Sequence, residues 1–268
     1  MEFQTATVKT DGFSMDYIRF GHGQKTFVIL PGLSVQSVIP SAGAIVQAYR
    51  VLTDDFTVYL FDRRKELPAQ YTMQQMADDT FAAMQALGMQ EIYLFGASQG
   101  GMIAMTIAAD HPSFVAKLVL GSTACCVTYA HYKIIDKWIA AAAHGDVESL
   151  YLLFGEAIYP PDLFAQYRKA LILLSKGVTP EDCRRFMILA GAMRGFDLSD
   201  WLQQITCPVL LLGAKDDGVL GAQAAETLKE KLKHNPMLEV HLYDGYGHAA
   251  YDTAPDYKNR MLRFLCKE

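Results

Sequence analysis

The residues that could do chemistry together fall in three short stretches. The first is Ile92-Tyr-Leu-Phe-Gly-Ala-Ser-Gln-Gly-Gly-Met102, in which Gly96 to Gly100 fits the pattern G-x-S-x-G. An apolar run that reads as a buried strand meets a helical pattern with only a few small residues between them. A turn that tight forces Ser98 into a strained backbone conformation. It also lifts the hydroxyl above the strand, beside a helix N-terminus whose free N–H groups favour negative charge. The pentapeptide alone equally describes an ordinary strand-to-helix turn. A serine hydroxyl becomes a useful nucleophile only when a base takes its proton and a third group orients that base.

The other two stretches lie downstream. In an open α/β sheet, groups that cooperate sit at the carboxyl ends of strands. Asp216 and Asp217 follow the apolar run Pro208 to Leu212 and its closing Gly213, and His248 follows the next such run in Asp244-Gly-Tyr-Gly-His248. The chain order is therefore serine, acid, histidine, with the acid open between Asp216 and Asp217. Asp244 reads as a residue that hydrogen-bonds its own loop, and Cys125 as a small core residue. His22, His111, His131, His144, His234 and His241 share no metal-ligand spacing, so no metal is expected. No G-x-G-x-x-G follows a strand, so no cofactor is expected either.

The elements that must position these groups alternate along the chain. A hairpin over Thr5–Val8 and Met15–Phe20 precedes buried strands at Thr26–Leu30, Thr57–Phe61, Ile92–Phe95, Val115–Leu120, Pro208–Leu212 and Glu239–Tyr243. Helical spacing is read over residues 44–52, 73–87, 222–233 and 257–265, and from Gly100 onward. Alternation of this kind implies a mostly parallel central sheet flanked by helices. It breaks between 122 and 203, where only helical patterns occur, at 129–143, 147–159, 163–176 and 180–193. The expected organisation is a core of residues 1–121 and 204–268, with 122–203 inserted as a helical cap over the strand ends. Aromatic residues of that insertion, among them Trp138 and Phe154, are expected mainly to pack it down, with some lining the cleft above Ser98.

Composition narrows the functional classes. The chain has 268 residues, of which 51% are hydrophobic and 20% charged, enough for one large α/β domain with an insertion. A net charge of −5 argues against nucleic acid or an anionic membrane surface as the main partner. The first thirty residues hold no basic segment followed by an apolar one, and no apolar run approaches the ~20 residues of a membrane span. Five cysteines without a C-x-x-C pair favour a reducing compartment. The expectation is a cytoplasmic protein acting on a small molecule, with its oligomeric state open.

Taken together, these motifs resemble the α/β-hydrolase fold superfamily, specifically its capped, esterase-like serine hydrolases. The resemblance spans nearly the whole chain, through Val28-Ile-Leu-Pro-Gly32, the Gly96 to Gly101 elbow, Pro208 to Asp216 and Gly245-Tyr-Gly-His248. It implies an enzyme with Ser98 as nucleophile, His248 as general base and then acid, and Asp216 as the acid that orients the imidazole. Asp217 is the near alternative. It further implies an oxyanion hole from the backbone N–H groups of Leu33 and Gln99. Two departures stand out. Pro31-Gly32 replaces the His-Gly of many relatives, and Arg63-Arg64-Lys65-Glu66 replaces a glycine-rich turn. This basic cluster is expected as a solvated loop, with Arg63 the residue that could meet an anionic group. The implied reaction is hydrolysis of a carboxylic ester or related acyl bond of a small, largely apolar substrate. A C–C bond hydrolase, an amidase, a thioesterase, an acyltransferase and a non-catalytic ligand sensor share the same scaffold.

Overall fold

The computed structural model describes residues 2–267. Strands β1 (Phe3–Lys9) and β2 (Ser14–Phe20) form an antiparallel hairpin. The sheet continues through β3 (Lys25–Leu30), β4 (Phe56–Arg64), β5 (Ile92–Ala97), β6 (Val115–Gly121), β7 (Val209–Ala214) and β8 (Leu238–Tyr243). The eight strands form one sheet in the order β1-β2-β4-β3-β5-β6-β7-β8, antiparallel at β1/β2 and β2/β4 and parallel elsewhere. β7 is buried along its whole length and β5 nearly so, which is why these segments read as unbroken apolar runs rather than alternating ones.

Helices cover both faces. Helices α1 (Ala42–Ala48), α2 (Met73–Ala86) and α3 (Gln99–Asp110) precede the insertion. α2 starts at a reciprocal cap between Thr72 and Gln75, which satisfies two otherwise free N–H groups. All of α3 but Asp110 is buried, as a helix apolar on every side must be. After β6 the chain leaves the sheet for four helices: α4 (Tyr129–Ala143), α5 (Val147–Ile158), α6 (Pro161–Ser175) and α7 (Pro180–Gly191). It returns at β7 and closes with α8 (Ala222–Lys231), α9 (Ala250–Thr253) and α10 (Tyr257–Cys266). One apolar core joins a sheet face to α2, α3 and the inserted helices, and a second packs α1 and α10 on the other face.

The expected elements are all present, with three local differences. β4 runs on to Arg64 because Arg64 still pairs with Met15 of β2. The helix expected over 44–52 is broken, with α1 ending at Ala48 and a separate tight turn over Arg50–Leu52. The single-turn helix α9, directly after His248, is too short to show a period in the sequence. Among the described residues, no helix is long and apolar enough to cross a membrane.

Candidate active site

Ser98 sits between β5 and α3 with φ 52° and ψ −120°. A positive φ on a residue with a Cβ costs about 1–3 kcal/mol and persists only where its surroundings over-determine it. They do so here. The Ser98 N–H donates to Gly121 O at 2.8 Å, and the Ser98 carbonyl accepts from the Gly101 and Met102 N–H groups and from the Thr123 hydroxyl at 2.7 Å. Close approach explains the flanking glycines. A Cβ on Gly96 would lie 2.2 Å from Gly100 O, and one on Gly100 would lie 2.0 Å from Leu30 O. The elbow can therefore pass β3 only if both are glycine.

His248 is buried at 2% exposure and follows β8. Its Nδ1 is 2.8 Å from Oδ2 of Asp217, whose side chain is equally enclosed. The other Asp217 oxygen accepts the Val219 and Leu220 N–H groups at 2.9 and 2.8 Å. Burial pushes the Asp217 carboxyl pKa up, but the adjacent imidazole and those amides outweigh it, and the net displacement is below the ordinary carboxylate value. Asp216, expected to face the histidine, is instead exposed and accepts the Gly247 N–H at 2.9 Å. The correction has a simple cause. β7 extends to Ala214, the chain turns sharply after it, and the second aspartate is the one that turns inward while the first stays on the rim. Asp216 still serves the site indirectly, since it ties down the residue before His248. Asp244 lies outside the cluster, in an exposed ion pair with Lys215.

Ser98 and His248 line one cleft, together with Gly32, Leu33, Met102, Val127, His131, Ile135, Trp138, Phe154, Ile158, Met193, Val219, Leu220 and Tyr251. Among the described residues, no hydrogen bond joins the Ser98 hydroxyl to His248, an arrangement common before substrate is bound. The cleft has a volume of about 20 Å³. It is thus narrow and mostly apolar. Trp138 and Phe154 contribute from the inserted helices, while Tyr129 points to solvent at 74% exposure. The end of α5 packs against the loops that carry Asp217 and His248: Ile158 O accepts the Ala249 N–H at 3.2 Å, and a Cβ on Gly218 would meet Ala157 O at 2.5 Å.

Leu33 lies in the cleft wall, and Gln99 follows Ser98 as the first residue of α3. The Gln99 amide is one of the first-turn N–H groups that a helix leaves free. The Gln99 side chain, fully buried, donates to Leu189 O of α7 at 2.7 Å and accepts from Arg63 at 3.2 Å.

Arg63 departs from expectation. It is no solvated loop residue but is 6% exposed, and one guanidinium nitrogen donates to both Pro31 O at 2.7 Å and Gln99 Oε1. Burial lowers its pKa to about 10, against the opposing pull of Asp62, and it keeps its charge at neutral pH. Asp62 accepts from Arg185 of α7 at 2.7 Å and from the Arg63 N–H at 2.8 Å. Arg63 thus braces the Pro31-Gly32-Leu33 turn from behind, whereas Arg64 pairs with Asp79 and Lys65 and Glu66 are exposed. The role is hidden in sequence because a run of charges after a strand ordinarily marks a solvated turn.

Sheet order, parallel core, elbow and the positions of the acid and histidine loops together define an α/β hydrolase fold. The family model described as alpha/beta hydrolase fold matches residues 25–143, and that of the dienelactone hydrolase family matches residues 199–261. Among curated proteins, the chain is 28% identical over 263 residues to the "Putative carbamate hydrolase RutD" of Caulobacter sp., covering 89% of this chain and 93% of that one. Among solved structures, an alpha/beta hydrolase enzyme from a Medee basin deep-sea metagenome library superposes with a TM-score of 0.86 at 19% identity, over 98% of each chain. An esterase from Exiguobacterium antarcticum superposes with a TM-score of 0.79 at 21% identity, over 98% of this chain and 100% of that one.

Proposed function

We propose that this protein is a serine hydrolase that cleaves a carboxylic ester or related acyl bond of a small, largely apolar substrate. The observation that carries the reading is the strained Ser98 sharing one cleft with His248, whose Nδ1 is bonded to the buried Asp217. Asp217 fixes the imidazole with its hydrogen on Nδ1, leaving Nε2 free to take the Ser98 proton. Ser98 Oγ attacks the carbonyl carbon, and the oxyanion is received by the Leu33 and Gln99 N–H groups. Such a donor contributes about 2.7–4 kcal/mol in the transition state. His248 returns the proton to the leaving alcohol, giving an acyl-serine. Water, deprotonated by His248, then attacks the acyl carbon, and Ser98 leaves with that proton as the carboxylic acid departs. Residues 122–203 act as the cap that keeps water from the cleft and sets its length.

The test is turnover of short aryl esters together with labelling by a fluorophosphonate. Activity and label should both disappear in Ser98→Ala, and activity should collapse in His248→Ala. A purified, folded protein that shows neither turnover nor label would refute the reading. The narrowness of the cleft and the name of the 28% identical relative favour a second reading, a carbamate as substrate on the same groups. Ammonia release from carbamate or alkyl carbamates, without ester turnover, would select it.

A further inference from the structure

Beyond the wall of the Ser98 cleft lies a second, partly open cavity of about 410 Å³. It is lined mainly by apolar and small groups, among them Ala124, Ile134 and Ala224. Three residues line both spaces: His131, Val219 and Leu220. Val219 and Leu220 are fixed because their N–H groups hold Asp217. His131 is fixed from both ends. Its Nδ1 accepts the Thr128 N–H at 3.0 Å, which leaves the hydrogen on Nε2, and Nε2 donates to Leu220 O at 2.9 Å. The ring is thereby clamped across the gap between α4 and the acid loop, in one tautomer and one orientation.

We infer that His131 is a specificity-determining partition. Its ring closes the Ser98 cleft on the side of the second cavity and restricts substrates to those with a short group there; without the ring the two spaces join into a pocket for a medium-length alkyl chain. The nature of the substrate rests on the serine-hydrolase reading, whereas the partition itself does not. A single methylene in an apolar pocket changes discrimination by about 10–200-fold, so opening the partition should be plain in a chain-length series.

The experiment is kcat/KM for p-nitrophenyl acetate, butyrate, hexanoate and octanoate with four folded proteins: wild type, His131→Ala, His131→Phe and His131→Ala/Ala224→Phe. The octanoate-to-acetate ratio should rise at least tenfold in His131→Ala. It should stay near wild type in His131→Phe, which keeps a ring without its hydrogen bonds. Adding Ala224→Phe, which fills the second cavity from α8, should reverse the gain. An unchanged ratio in His131→Ala, or an equal rise in His131→Phe, overturns the inference. A parallel arm needs no turnover. In a Ser98→Ala background, methyl octanoate should raise Tm more with His131→Ala than with His131 present, and equal shifts overturn the partition. If wild type hydrolyses none of the esters, the serine-hydrolase reading fails, and this binding arm alone decides the partition.

Discussion

Replacing each of two neighbouring aspartates by asparagine should have opposite consequences, and the geometry sets the size of the contrast. Asp217 offers four acceptor sites and uses three, one to His248 Nδ1 at 2.8 Å and two, on its other oxygen, to the Val219 and Leu220 N–H groups. Asparagine has one oxygen. The two backbone donors claim it, since turning the amide the other way would set its NH2 against both of them in a buried site. The NH2 then faces His248 Nδ1 and donates to it, which moves the ring hydrogen to Nε2. That nitrogen can no longer take the Ser98 proton. Losing the tautomer in this way costs about 10⁴-fold in kcat, or about 5 kcal/mol at 1.36 kcal/mol per decade. Asp216→Asn keeps the oxygen that accepts the Gly247 N–H at 2.9 Å and lies on the exposed rim, so its kcat should stay within about threefold of wild type. The assay is steady-state hydrolysis of p-nitrophenyl acetate at neutral pH, with thermal melts to confirm that both variants fold. A hundredfold loss in Asp216→Asn with activity retained in Asp217→Asn would refute the reasoning.

The same site predicts a pH-dependent stability. Because the Asp217 pKa is depressed in the folded state, its contribution is present above the unfolded value of about 3.9 and is lost as pH falls through the lower folded value. Denaturant melts should therefore show the gap between wild type and Asp217→Asn largest near neutrality and closing below about pH 4. Arg63→Met should lower kcat by about 10–100-fold with KM little changed, short of the loss expected from deleting an oxyanion donor outright. A selective rise in KM would point instead to contact with substrate. Arg185→Ala leaves the buried Asp62 carboxylate without its ion-pair partner, and denaturant unfolding should show a loss of about 3 kcal/mol. Gly100→Ala should cost about 3 kcal/mol by the same measurement, because the new methyl group would sit 2.0 Å from Leu30 O.

How far the chain could be read from its residues depended on whether the deciding interaction was local. Strands such as β7 and helices such as α2 declare themselves because burial on both faces, or on one stripe, writes a period into neighbouring residues. The elbow declares itself because its strain needs small residues at fixed offsets. Asp216 against Asp217 is a different kind of question. One residue of extra strand reverses which carboxylate faces inward, and no periodicity extends into a turn of that length. Arg63 was opaque for a related reason. Its partners, Pro31 O and Gln99 Oε1, are 32 and 36 residues away, and only the parallel pairing of β4 beside β3 brings the end of one strand behind the turn of the other.

That arrangement also bears on the departure at Pro31. Proline offers no N–H to neighbouring groups and constrains its own φ, so Pro31 has only its carbonyl as a polar handle. Arg63 grips that carbonyl and, with the same nitrogen, the side chain of Gln99. One buried cation therefore links Pro31, two residues before Leu33, to the side chain of Gln99. Gln99 is tied in turn to Leu189, and Asp62 to Arg185, both on α7 of the inserted helices. These bonds fasten α7 to the end of β4 and to the first residue of α3, beside the turn that carries Leu33.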